Sequence, residues 1–111
     1  MKSPGFTFYP KDWLCSDTVR TLHRMGGRGV NGYMFLLCES WLQDPPGTLP
    51  NDEELLLEMS RLKKSEWEEF WPIMKPNFPL NGRGKLANKR LVDHHELQKK
   101  RAFAGKKGGS S

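Results

Sequence analysis

At 111 residues the chain has room for one domain and one modest core. Its charge is unevenly divided: residues 1–81 hold 9 Lys/Arg against 11 Asp/Glu, and residues 82–111 hold 9 Lys/Arg against only Asp93 and Glu96. An acidic body with a basic arm points to a polyanion partner such as nucleic acid. Apolar runs stop at about five residues, as in Met34 to Cys38, so no segment spans a membrane.

In chain order, the opening MKSPGFTFYPKDW has neither the apolar h-region nor the small-residue cleavage site of a secretory signal. Pro10 restricts the residue before it, so Phe6 to Trp13 reads as an extended segment or edge strand. Phe6, Phe8 and Trp13 are expected on the core rather than as base-stacking rings. Ser16 or Asp17 caps a short helix that runs to about His23. Gly26, Gly27 and Gly29 then make a helix–helix joint. From Val30 the apolar residues Val30, Tyr33, Met34, Leu37, Cys38, Trp41 and Leu42 recur at helical spacing and predict the central core helix. Asp44-Pro45-Pro46-Gly47 ends it. Cys15 and Cys38, set in apolar surroundings, read as reduced structural thiols of a cytoplasmic protein.

Leu49-Pro50-Asn51 leads into a third helix, capped by Asn51 or Asp52, with Leu55, Met59 and Leu62 facing inward. After a joint at Leu62-Lys63-Lys64-Ser65, Ser65 caps a fourth helix with Glu68 at the capping-box position. Its apolar face is Trp67, Phe70, Trp71 and Met74, and Pro76-Asn77 stops it. Asn77 to Leu91 then reads as a two-stranded hairpin around the turn Asn81-Gly82-Arg83-Gly84, whose glycines supply the positive φ that tight turns need. Its return strand is expected to carry Lys89 and Arg90. A basic helix over 92–104 and a flexible basic tail over 105–111 complete the chain.

The fold class is therefore mainly α with a small β-hairpin (α+β), a winged helix-turn-helix domain over 1–91. The reading helix does not suit base recognition. Its outward residues Glu66, Glu68 and Glu69 would repel phosphates, whereas major-groove readers present Arg, Asn or Gln. Cations lie instead on the wing, Arg83, Lys85, Lys89 and Arg90, and on the helix and tail beyond it, Lys99, Lys100, Arg101, Lys106 and Lys107. Such contacts position a protein on DNA without reading sequence, and they weaken with salt. The alternative is a protein-interaction adaptor that docks a replication or phage partner on Glu66, Glu68 and Glu69.

Enzyme chemistry has no motif here. His94 and His95 are adjacent and point about 100° apart on a helix, and His23, Cys15 and Cys38 lack zinc-site spacing. No phosphate-cradling loop is present, so neither metal nor cofactor is expected.

Five stretches in order carry a resemblance. They are F-x-F-Y-P-K-D-W-L at Phe6 to Leu14, R-G-x-x-G-Y-x-x-L-L-C-x-x-W at Arg28 to Trp41, L-P-N-D at Leu49 to Asp52, W-x-x-x-W-P at Trp67 to Pro72, and G-K-L-x-N-K-R-L at Gly84 to Leu91. Together they resemble the N-terminal domain of a family of uncharacterised bacterial and prophage proteins similar to phage replication-initiation proteins. A winged-helix fold and an association with DNA replication are what the resemblance implies. It brings no catalytic residue with it.

Overall fold

The computed structural model describes residues 10–109, the side chains of 103–109 excepted, so Phe6 and Phe8 lie outside the described residues. Among those described, the elements are α1 (Pro10–Leu14), α2 (Asp17–Arg24), α3 (Arg28–Trp41), β1 (Thr48–Pro50), α4 (Glu53–Ser60), α5 (Lys64–Met74), β2 (Lys85–Ala87) and α6 (Lys89–Gly109), with a 3-10 turn at Lys75–Asn77. The architecture is mainly helical with one antiparallel pair of strands.

Pro10 opens a helix rather than holding an extended segment. A proline in the first turn gives up an N–H that has no partner there, and its fixed φ suits the helix. Trp13, half-buried, stacks on Tyr33 with centroids 5.7 Å apart. Ser16 caps α2 as expected, its hydroxyl accepting from the Val19 N–H at 3.3 Å.

In α3 the buried face differs from the expected stripe. Tyr33, Leu37 and Trp41 are buried, but so are Leu36 and the small residues Gly29, Gly32 and Ser40, while Cys38 and Leu42 are exposed. The small residues turn the face because large neighbours occupy their notches. A Cβ on Gly29 would come within 2.9 Å of the Phe70 ring, and one on Gly32 within 2.6 Å of Leu62 Cδ1. Both cysteines are free, in keeping with the reduced thiols expected, but both are exposed rather than set in apolar surroundings.

Asp52 caps α4, its carboxylate accepting from the Glu54 and Leu55 N–H groups at 3.0 and 3.4 Å. The helix turns Leu56 and Ser60 inward, with Leu62 beyond it, while Leu55 is exposed and Met59 half-buried. The joint to α5 is Arg61-Leu62-Lys63, starting one residue and ending two residues earlier than expected. Ser65 therefore sits inside the helix, and Glu66 takes the reciprocal bond, accepting from the Lys63 N–H at 2.9 Å. Trp67, Phe70, Trp71 and Met74 are buried as predicted. Rings then run through the core in contact: Trp67 on Trp71 at 4.7 Å, Trp71 on Phe78 at 6.2 Å, and Phe78 edge-on to Tyr33 at 6.1 Å. Fully burying a side chain of this size is worth roughly 1.5–3 kcal/mol, so this row of rings and the leucines around it account for much of the body's stability.

The main partner of β2 is β1, a three-residue strand that sequence reading passed over: Leu49 faces Leu86 and Thr48 faces Ala87. Of the expected hairpin one bridge survives, Leu80 with Leu86. Three chain segments thus lie side by side around Leu86. Lys89 and Arg90 are not on the return strand. Asn88 ends it, its Oδ1 accepting from the Leu91 N–H at 3.1 Å, and Lys89 and Arg90 form the first turn of α6. The C-terminal helix therefore begins at residue 89 rather than 92, and its bounds take in most of the segment expected as a tail.

Candidate nucleic-acid interface

The turn before β2 is fixed by Asn81. Its Oδ1 accepts from the Arg83 N–H at 2.8 Å and the Lys85 N–H at 3.0 Å, and its own N–H donates to the Lys85 carbonyl at 2.7 Å. Gly84, at φ 77°, takes the left-handed conformation this closure requires. The result holds the Arg83 side chain exposed at the tip. Lys85 is half-buried, and its Nζ donates to the Asp44 carbonyl at 2.7 Å. Arg83 is thus presented to solvent, whereas Lys85 is partly engaged in closing the loop after α3.

Asn88 joins this turn to α6. Its N–H donates to the Gly47 carbonyl at 2.8 Å, its amide donates to the Asn77 carbonyl at 3.2 Å, and its oxygen caps α6. Gly47 leaves room for the first turn of α6, since a Cβ there would meet the Val92 nitrogen at 2.9 Å. Lys89 is exposed at that turn, and Arg90 reaches back to Asp12 of α1 at 3.6 Å. An ion pair this long and this exposed is worth at most about 1 kcal/mol, so a phosphate can compete for Arg90.

Leu91 is buried, and the His94 and His95 rings pack on Trp41 at 5.8 and 5.9 Å. These contacts pin the early turns of α6 to the body, and the pair is packed there rather than converging on an ion. Past Gln98 the described residues, Lys99, Lys100, Arg101 and Ala102, are all exposed. Lys106 and Lys107 fall within α6, with their side chains outside the description. Arg83 and Lys89 are six residues apart, at most roughly 20 Å along the chain. That is less than one turn of duplex, about 34 Å.

The acidic side of α5 is smaller than its sequence suggests. Glu66 accepts from Arg28 Nε at 2.9 Å and Nη2 at 3.3 Å, besides the Lys63 N–H. The Arg28 hydrogen bond, then the backbone one, hold the Glu66 carboxyl below the usual carboxylate range. Glu68 and Glu69 remain exposed.

A groove of about 600 Å³ runs between α1, α3 and the start of α6, with Trp13, Tyr33, Leu37, Asn77 and Asn88 in its walls. Two of the polar side chains in those walls, Asn77 and Asn88, are already engaged. Asn77 donates to the Thr18 hydroxyl at 2.6 Å and Asn88 holds the joint described above. Burial pushes the Tyr33 hydroxyl up, and Arg90 pulls it partly back. Partial burial and then Glu39 push the Cys38 thiol up, with Arg61 opposing. Neither group is thereby activated as a nucleophile. Among the described residues no group of three or more His, Cys, Asp or Glu could hold a metal ion, and no helix is long and apolar enough to cross a membrane.

Sequence reasoning missed β1 and the capping role of Asn88. The second had a signal, since an Asn before K-R-L-V is a helix cap by residue type. No family model matches the chain, and no curated protein or solved structure matches it.

Proposed function

We propose that the chain is the winged-helix DNA-binding module of a phage-type replication initiation protein, gripping phosphates from the wing and from α6. The observation that carries this reading is the exposure of cations in two groups, Arg83 and Lys89 at the turn and the start of α6, and Lys99, Lys100 and Arg101 further along the helix, beyond the exposed acids Asp93 and Glu96. Support for the winged-helix part comes from element order: helix, strand, two helices, then a turn whose return strand pairs with the first strand. Gripping is electrostatic and largely indifferent to base sequence, because α5 offers Glu68 and Glu69 where a base reader would offer donors.

A titration of labelled duplex DNA at two salt concentrations tests it. Arg83→Ala with Lys85→Ala weakens binding in the low-salt arm and flattens the salt dependence; unchanged affinity removes the wing from the interface. The adaptor reading keeps one favouring observation, the exposure of Glu68 and Glu69, but Glu66 is already held by Arg28. Reversing Glu68 and Glu69 leaves DNA binding intact under either reading. Loss of a replication or phage partner with that double reversal would favour the adaptor.

A further inference from the structure

The outward side of α3 carries a second apolar ridge. Phe35 and Leu42 are 43% and 79% exposed, Cys38 is exposed between them, and Leu55 of α4 adds another 43% exposed residue. Positions 35, 38 and 42 recur at three and four, so they share one face. Acids rim it. Glu54 and Glu58 are exposed on α4, and Glu39 pairs with Arg61 at 3.2 Å while the Arg61 guanidinium lies 4.8 Å from the Phe35 ring centre. An apolar ridge with an acidic rim fits an amphipathic helix whose apolar residues are flanked by cations.

α6 carries one exposed large apolar residue with cations beside it. Leu97 of α6 is 41% exposed, and Lys100 and Arg101 stand three and four residues further on, on its side of the helix. The far half of α6 cannot turn back onto its own α3. The helix is unbroken from Lys89 to Gly109, and its early turns are held at Leu91 and against Trp41. A second copy has no such restriction, and the charges of its two ends are opposite, net −2 over residues 1–81 and +7 over 82–111. We propose that the α6 arm of one copy docks on the α3–α4 ridge of a second copy, with Leu97 against Phe35 and Leu55 and with Lys100 and Arg101 facing Glu54 and Glu58.

Sedimentation equilibrium of the full chain, free of DNA, tests the pairing independently of any phosphate contact. The native chain self-associates at low salt. Glu54→Lys with Glu58→Lys, and separately Lys100→Glu with Arg101→Glu, each weaken self-association by about tenfold or more, with helix content by circular dichroism unchanged because all four residues are exposed. An equimolar mixture of the two variants recovers association, since unlike charges face each other again. A native chain that stays monomeric, a mixture as weak as its components, or association undiminished in every sample overturns the proposal. The last result would assign the contact to another face.

Discussion

The acidic body and the basic arm differ in what holds each residue in its position. From Val19 to Phe78 the large side chains are fixed by one another, through stacked rings and through notches at Gly29 and Gly32 that admit Phe70 and Leu62. Beyond Gly82 the described residues bury only Leu86, Asn88 and Leu91. Burial determines shape and is nearly indifferent to salt, whereas exposed charge adds little stability and acts at a distance set by screening. The contrast explains how one short chain can pair a rigid body with an adaptable cationic surface, and it predicts that the two regions fail in different assays.

The largest effect belongs to the body. Phe78 is 1% exposed and touches both Trp71 and Tyr33. Phe78→Ala should cost about 3–5 kcal/mol in a denaturant melt, while Arg83→Ala should stay within about 0.5 kcal/mol. Similar costs for the two would erase the distinction between the regions. A smaller effect falls on the joint. Asn88→Ala leaves the Asn77 carbonyl and the Leu91 N–H without their partner, at a cost of about 1–3 kcal/mol. Under the proposed function it should also weaken DNA binding, because Lys89 and the α6 cations lose their fixed relation to the turn at Asn81 to Gly84.

The smallest effect concerns Glu66, whose lowered folded pKa gives the sign directly. Its contribution is present above the ordinary carboxylate range and fades as pH falls through the folded value. Glu66→Gln should therefore slightly reduce stability near neutrality and flatten the profile on the acid side of the ordinary carboxylate range. A melt series with an unchanged acid limb would show that the Arg28 contact contributes nothing in solution.

Much of the body was legible because large aromatic residues at helical spacing leave few alternatives. The face formed by Trp67, Phe70, Trp71 and Met74 is the one read from their spacing. Periodicity misjudged α3 because it counts large residues and overlooks Gly29, Gly32 and Ser40, which are buried since other side chains need their space. β1 was hidden because three residues, Thr48–Pro50, are too few for alternation to register, and their pairing depends on a segment far along the chain. Pro10 was misread because a proline restricts the residue before it yet can itself begin a helix. On the interface, composition located the cations but not their engagement. Lys85 is tied to Asp44, Arg90 to Asp12 and Glu66 to Arg28, contacts between positions distant in sequence.

The most direct test of the phosphate-gripping account is the slope of log affinity against log salt for duplex DNA, measured by fluorescence anisotropy between about 50 and 200 mM salt. Each phosphate that a variant no longer neutralises lowers that slope by about 0.9. The quadruple variant Arg83→Ala, Lys99→Ala, Lys100→Ala and Arg101→Ala should lower it by about 3 to 4 while its denaturant midpoint stays that of the native chain. An unchanged slope, with both proteins folded, would contradict the account and leave the arm's charge to the contact between copies.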